Sequence, residues 1–228
     1  MTLVQTAQGN GGGYVNSYTL ALGSNVTAGN SLYLWLACGA GDTMTITDNR
    51  SNSWNVGASV TLTSQRIEAL FFVNNAAAGA TTLTITFGSG QFNDSAAIVQ
   101  EWSGVPTTDN RDQVATNTAA ASATQSVGPT SNVALPNEII CFAVATDSST
   151  PGITGDPSFA AVITQAGFDL YTSNNLQTKT GQLGTQSALA TTSAARNSSM
   201  ILQTFKPTTG SASLKNVTSM GNIQSITF

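Results

Sequence analysis

Residues 24–35 read SNVTAGNSLYLW, and 107 positions further on residues 131–142 read SNVALPNEIICF. Ser, Asn, Val and the second Asn coincide, and apolar types match after them. Two further anchors follow in the same order. Ile46-Thr47 leads through a polar turn to Trp54, as Ile153-Thr154 leads through Gly155-Asp156-Pro157 to Phe159. Residues 95–102 (SAAIVQEW) are answered by residues 198–205 (SSMILQTF), now 103 positions apart. Three anchors in one order with a slowly drifting offset argue for two copies of one set of elements. Whatever each copy forms, the fold has to accommodate it twice.

The repeated elements read as strands. Residues 32–38 and 139–145 are short apolar runs with polar or Gly/Pro punctuation on both sides, the pattern of strands covered on both faces or central in a sheet. In TLTITF, residues 82–87, Leu83, Ile85 and Phe87 alternate with threonines, which predicts a half-buried strand. The stretch RIEALFFV, residues 66–73, admits a helical reading, but Ile67, Ala69, Phe71 and Val73 also alternate and its neighbours are strands. Turn residues at Ala40-Gly41-Asp42, Asp48-Asn49, Ala78-Gly79 and Gly155-Asp156-Pro157 fall between the runs. The expectation is therefore an all-β chain, a two-sheet antiparallel β-sandwich, jelly-roll-like, built from two internally repeated strand sets over residues 24–105 and 131–207. Residues 3–6 and 14–22 supply extra strands. The Ala/Thr/Ser-rich stretch 106–125 reads as a flexible connector inside a single domain of residues 1–207. Residues 208–228 begin as a Thr/Gly/Ser linker yet carry Ile223, Ile226 and Phe228. They read either as final strands of the sandwich or as an extended arm laid on a sheet edge of this or a neighbouring subunit.

Charge is scarce: 8% of residues are charged against 40% hydrophobic, and Thr, Ala, Ser, Gly and Asn make up 128 of the 228 residues. Such a surface is solvated by hydroxyls and amides. The chain has no histidine, so Ser-His-Asp and Cys-His nucleophile systems and histidine-ligated zinc sites are excluded. Seven cations stand against eleven carboxylates, with none of the cations before Arg50, so no basic stripe exists to follow a phosphate backbone. The opening MTLVQTAQGN has neither the basic nor the apolar region of a signal peptide, and no apolar run is long enough to span a bilayer. Together these suggest a protein made in a host cytoplasm without a signal peptide and displayed on the outer surface of a virion. Cys38 and Cys141 both lie in apolar runs and read as small buried hydrophobes, a disulfide between them being the other possibility.

Candidate chemistry is sparse. A glycosidase needs two carboxyl groups at a suitable separation, and Glu68 and Glu101 lie inside strands where a common cleft is conceivable. Arg66 shares a strand face with Glu68, so an ion pair is the competing account. Asp48-Asn49 and Asp109-Asn110-Arg111-Asp112 offer oxygen ligands without the spacing of a calcium loop, and no metal or other cofactor is expected. Trp35, Trp54 and Trp102 stand at repeat anchors opposite Phe142, Phe159 and Phe205 and read as core rings. Tyr14, Tyr18 and Tyr171 are freer to act as stacking platforms for a glycan.

The series AGNSLYLWLA, an Asp/Asn turn into Trp54, AAAGATTLTITF and IVQEWSGV resembles the β-sandwich modules of tailed-phage structural (decoration and tail) proteins and of bacterial surface glycan-binding proteins. The likeness spans about residues 24–207 and is one of pattern. It implies a sandwich on an exterior assembly and transfers no functional residue. The expected function is that of a non-enzymatic virion protein of a tailed bacteriophage. A capsid decoration (cement) protein comes first, a tail, baseplate or fibre component second, acting by contacts with copies of itself and other virion proteins. The alternative is a carbohydrate-binding module or lectin-like adhesin. Nucleic acid and membrane are not expected partners.

Overall fold

The computed structural model describes residues 1–13, 15–39, 43–62, 66–88, 94–167 and 172–208. The first half of the chain forms β1 (Thr2–Asn10), β2 (Ser17–Ala21), β3 (Ser31–Gly39), β4 (Met44–Asp48), β5 (Asn55–Leu62), β6 (Arg66–Val73), β7 (Thr82–Phe87) and β8 (Ala96–Ser103). The second forms β9 (Arg111–Val127), β10 (Ile139–Thr146), β11 (Ile163–Ala166), β12 (Ser173–Thr180) and β13 (Ala188–Phe205). All pairing is antiparallel. The described chain is all-β, a β-sandwich as expected, and residues 66–73 are a strand.

The sandwich is elaborated into three sheets, ordered β1-β8-β3-β6-β5, β2-β7-β4 and β11-β12-β10-β13-β9. In the first half β1 lies beside β8, β2 beside β7 and β3 beside β6, a nested arrangement. β5 pairs with β6 in the large sheet instead of joining β4 in the small one, a departure from eight-strand jelly-roll order. Read from β9, the second large sheet runs β9-β13-β10-β12-β11, so the first strand of the half again lies beside the last, and the third pairs with the fourth. Among the described residues no separate small sheet forms here. The 17-residue β9 and 18-residue β13 shift register between Thr191 and Ser198, and their outer arms, Val127 to Thr124 opposite Ala188 to Thr191, fold over the sheet. A bridge from Thr154 to Thr191 completes that layer.

Three apolar clusters follow from the alternation of side chains across each strand. Leu34, Leu36, Phe71 and Val99 of the first large sheet meet Leu20, Leu83, Ile85 and Phe87 of the small sheet. Phe142, Val144 and Leu202 meet Phe159, Ala188 and Ala190 in the second half. Between the two large sheets, Tyr33, Trp35, Leu70, Phe72 and Ile98 face Ile139, Cys141, Leu176, Ile201 and Phe205. β3 is consequently buried at every position, which is why its sequence is a continuous apolar run.

The large sheets stack with β1 against β11, β8 against β12, β3 against β10, β6 against β13 and β5 against β9. Exchanging the two halves turns the first contact into the last and the second into the fourth, and leaves the third unchanged. The contact of β3 with β10 is thus the centre of the stack.

Several expectations are adjusted by these facts. Each half completes its own core, and the halves meet through a third. Residues 106–125, expected as a connector, contain most of β9. That strand lies at a sheet edge with small, half-exposed side chains, so it needs none of the apolar alternation that reveals a buried strand. The spacing of 107 sets Leu32 against Ile139 and Trp35 against Phe142, yet within each pair the two residues belong to different clusters. Setting Tyr33 against Ile139 keeps the faces alike. Trp102 and Phe205 do share the inter-sheet cluster. Cys38 sits in the first core and Cys141 in the inter-sheet cluster, and they form no disulfide.

Candidate functional site

The strands place Glu68 and Glu101 on opposite faces of the first large sheet. Glu68 pairs with Ala37 and lies on the face of Leu70 and Phe72, whereas Glu101 pairs with Leu32 on the face of the first core. Five positions along β3 separate them, about 16 Å, well beyond the separation of a glycosidase pair. The common cleft conceivable from sequence is thus corrected. Glu101 is a structural acceptor: Oε1 takes Thr27 N at 2.9 Å and Asn30 Nδ2 at 2.5 Å, and Oε2 takes Gln5 Nε2 at 2.5 Å. Glu68 is fully buried, neither oxygen has a hydrogen-bond partner among the described residues, and burial pushes its carboxyl well above the usual range. The Arg66 side chain, the expected partner of Glu68, lies outside the described residues. Burial, with the nearby Asp112 carboxylate behind it, also raises Glu138. Asp112 itself is bridged by Lys206 at 3.0 Å.

The remaining sequence candidates separate. Tyr14 and Tyr171, and Ile223, Ile226 and Phe228 of the proposed arm, lie outside the described residues. Tyr18 is half-buried, its ring stacked on Phe87 at 6.2 Å and packed on the first core, and burial raises its phenol. Among the described residues no three His, Cys, Asp or Glu side chains converge as a metal cage. No helix there is long and apolar enough to cross a membrane.

Two surface features remain. One is the set of sheet edges, β1 and β5, β9 and β11, β2 and β4. These six strands contain a single cation, Arg111 at the start of β9, and no proline. Leu3 and Val4 of β1, Val56 of β5 and Val114 of β9 are 40%, 45%, 63% and 49% exposed. Register shifts interrupt β1 after Leu3 and β5 after Val56, but the Lys and Pro that commonly guard free edges are missing.

The other is an open polar cleft of about 640 Å³ where the turn after β4, the end of β6 and the start of β9 meet. Its first wall is wound around Asp48. Oδ1 accepts Arg50 N at 2.8 Å and Asn52 N at 3.2 Å, and Oδ2 accepts Trp54 Nε1 at 2.8 Å. Asn52 Oδ1 accepts the Ala77 N–H at 2.8 Å, and its Nδ2 has no hydrogen-bond partner among the described residues. Ser51 and Asn75, both lining the cleft, are non-glycine residues in the left-handed region at φ 55° and 58°, a conformation that costs energy and tends to gather at functional sites. Arg50 reaches across the Ala78-Gly79 turn, its Nε donating to Gly79 O at 3.3 Å. A Cβ at Gly79 would stand 2.8 Å from Arg50 Nη2. On the far side Arg111 lies over the Phe72 ring at 4.4 Å and forks onto Asp109, with Nη2 to Oδ2 at 2.6 Å and Nε to Oδ1 at 3.0 Å. That pair holds Asp109 below the usual carboxylate range.

No known protein family, curated protein or solved structure shows a significant match to this chain.

Proposed function

We propose that the protein is a non-enzymatic structural component on the exterior of a tailed-phage virion. A capsid decoration protein is the first reading and a tail, baseplate or fibre component the second. The observation that carries the reading is the unguarded edges. A soluble monomer ordinarily blunts free strands with charge or proline, because a row of unpaired N–H and C=O groups recruits another chain. A lattice subunit has the opposite need. Apolar side chains on β1, β5 and β9 and a low-charge surface suit repeated contacts between neighbours, and a heterologous contact of this kind propagates around symmetry. Partners are then copies of the chain and other virion proteins.

Sedimentation of the purified chain over a concentration series tests this. Concentration-dependent association that is lost in the Leu3→Lys, Val4→Lys double variant is the expected result. Mass spectrometry of purified phage particles supplies the second arm. A chain that stays monomeric throughout and is missing from particles overturns the reading.

The cleft favours a second reading, a carbohydrate-binding module. Clear binding on a glycan array by a stable monomer supports it over the structural role.

A further inference from the structure

We infer that the cleft between the turn after β4 and the start of β9 is a binding site for an acidic saccharide, a sugar carrying both vicinal hydroxyls and a carboxylate. The inference deepens the carbohydrate-binding reading and does not require the structural role.

The chemistry of the lining selects the ligand. Asn55, Asn74 and Asn75 line one space; Asn55 Nδ2 donates to Ser53 O at 3.2 Å and Asn74 Oδ1 accepts Ser31 Oγ at 3.1 Å, so that the Asn55 carbonyl and the Asn74 amino group are the acceptor and donor offered to a ligand. Neighbouring sugar hydroxyls, each able to give and accept, match that pairing. A lining with so little apolar surface does not suit a greasy ligand, and its volume falls in the range of small-molecule sites.

Charge narrows the class. The lining holds two cations, Arg50 and Arg111, and one carboxylate, Asp109. Arg111 and Asp109 satisfy each other through the fork already described. Asp48, two residues from Arg50, accepts two backbone N–H groups and the Trp54 indole and forms no salt bridge with the Arg50 guanidinium. Arg50 forms no salt bridge among the described residues, and is held in place by the Gly79 carbonyl. Among the described residues the Arg50 guanidinium thus has no ion-pair partner beside the lining asparagines, in a chain with a formal net charge of −4. A planar guanidinium recognises a carboxylate with two parallel hydrogen bonds, so a uronate or sialate fits this cleft better than a neutral sugar.

The walls are set before any ligand arrives. Asp48 fixes the turn, Arg111 is clamped between Asp109 and Phe72, and Gly79 admits Arg50 where a side chain would collide with it. Binding therefore spends little on ordering the site.

The test uses the full-length protein and three probes: sialyllactose, an oligoguluronate and, as neutral control, lactose. Binding is followed by calorimetry and by the side-chain amide signals of Asn55, Asn74 and Asn75. The expected result is binding of at least one acidic probe with shifts at those amides. Affinity should fall about tenfold or more in Arg50→Ala and part-way in Arg50→Lys, which keeps the charge but loses the fork. Thermal unfolding of both variants checks that they fold, and Arg50→Lys carries the test if Arg50→Ala does not. Silence toward both acidic probes, lactose binding of equal strength, or affinity untouched in the Arg50 variants each overturns the assignment. The edge variants Leu3→Lys and Val4→Lys lie outside the cleft, so association and sugar binding fail independently.

Discussion

At the scale of single residues, the three glutamates divide into roles their sequence surroundings do not separate. Each sits near apolar neighbours in the sequence, yet one is matched by donors and another is not. Glu101 answers three donors, so Glu101→Ala leaves Thr27 N, Asn30 and Gln5 unmatched and should cost about 2–4 kcal/mol in urea unfolding. Glu68 answers none. Its carboxyl is raised by burial, so the folded state keeps a proton that the unfolded chain releases in the ordinary glutamate range. Stability is then full at pH below that range and is lost as pH rises toward the raised value, with a slope of about 1.4 kcal/mol per pH unit in that window. Glu68→Gln should match wild type near pH 4 and exceed it increasingly at neutral and alkaline pH. Unfolding midpoints measured across pH check this, and a difference independent of pH contradicts it. The alternation rule located both residues on strands. Which of the two faces held matching donors depended on Gln5, Thr27 and Asn30, brought there by pairing across 96, 74 and 71 residues.

At the scale of elements, the legible strands were those whose burial forces a pattern. β7 alternates because one face is wet, and β3 and β10 are continuous because neither is. β9 escaped because an edge strand of Ala, Thr and Ser looks like a linker. The cleft escaped for a related reason: its asparagines are ordinary turn residues in a chain with 19 of them, and only the fold brings residues near 50, 75 and 110 together. One backbone position at the far end of β9, away from the cleft, is sharply constrained. Gly128, which closes the strand, has φ +106°, and an added Cβ would stand 2.6 Å from Gln186 O. Gly128→Ala should therefore destabilise the protein by about 1–3 kcal/mol, and should first release amide protons of the folded-over arms of β9 and β13. Hydrogen exchange of the variant checks the location as well as the size.

At the scale of the whole molecule, the inter-sheet cluster couples the halves. Tyr33 stacks on Phe205 with centroids 4.0 Å apart, and its hydroxyl accepts Asn110 Nδ2 at 2.7 Å. Phe205→Ala should cost about 3–5 kcal/mol. With the shared layer intact the chain should unfold in one transition, coincident by tryptophan fluorescence and far-UV circular dichroism. Two well-separated transitions would show that each half stands without the other. The repeat announced two copies of one pattern. It did not announce how they meet, because the facing residues of β6 and β12 carry no likeness that the anchors reveal. The nested order also has a consequence for synthesis. Thr2 lies opposite Ser103 and Arg111 opposite Phe205, so the opening strand of each half waits at the ribosome for the closing one, roughly a hundred residues later. Until then the nascent chain carries an unzipped flank, and contacts this distant in sequence form slowly. The first half matures before the second is complete, and its Trp35, Leu70 and Phe72 surface stays sticky through that interval. Overproduction at high temperature should for that reason trap it in inclusion bodies, and slower translation in the cold should rescue soluble yield.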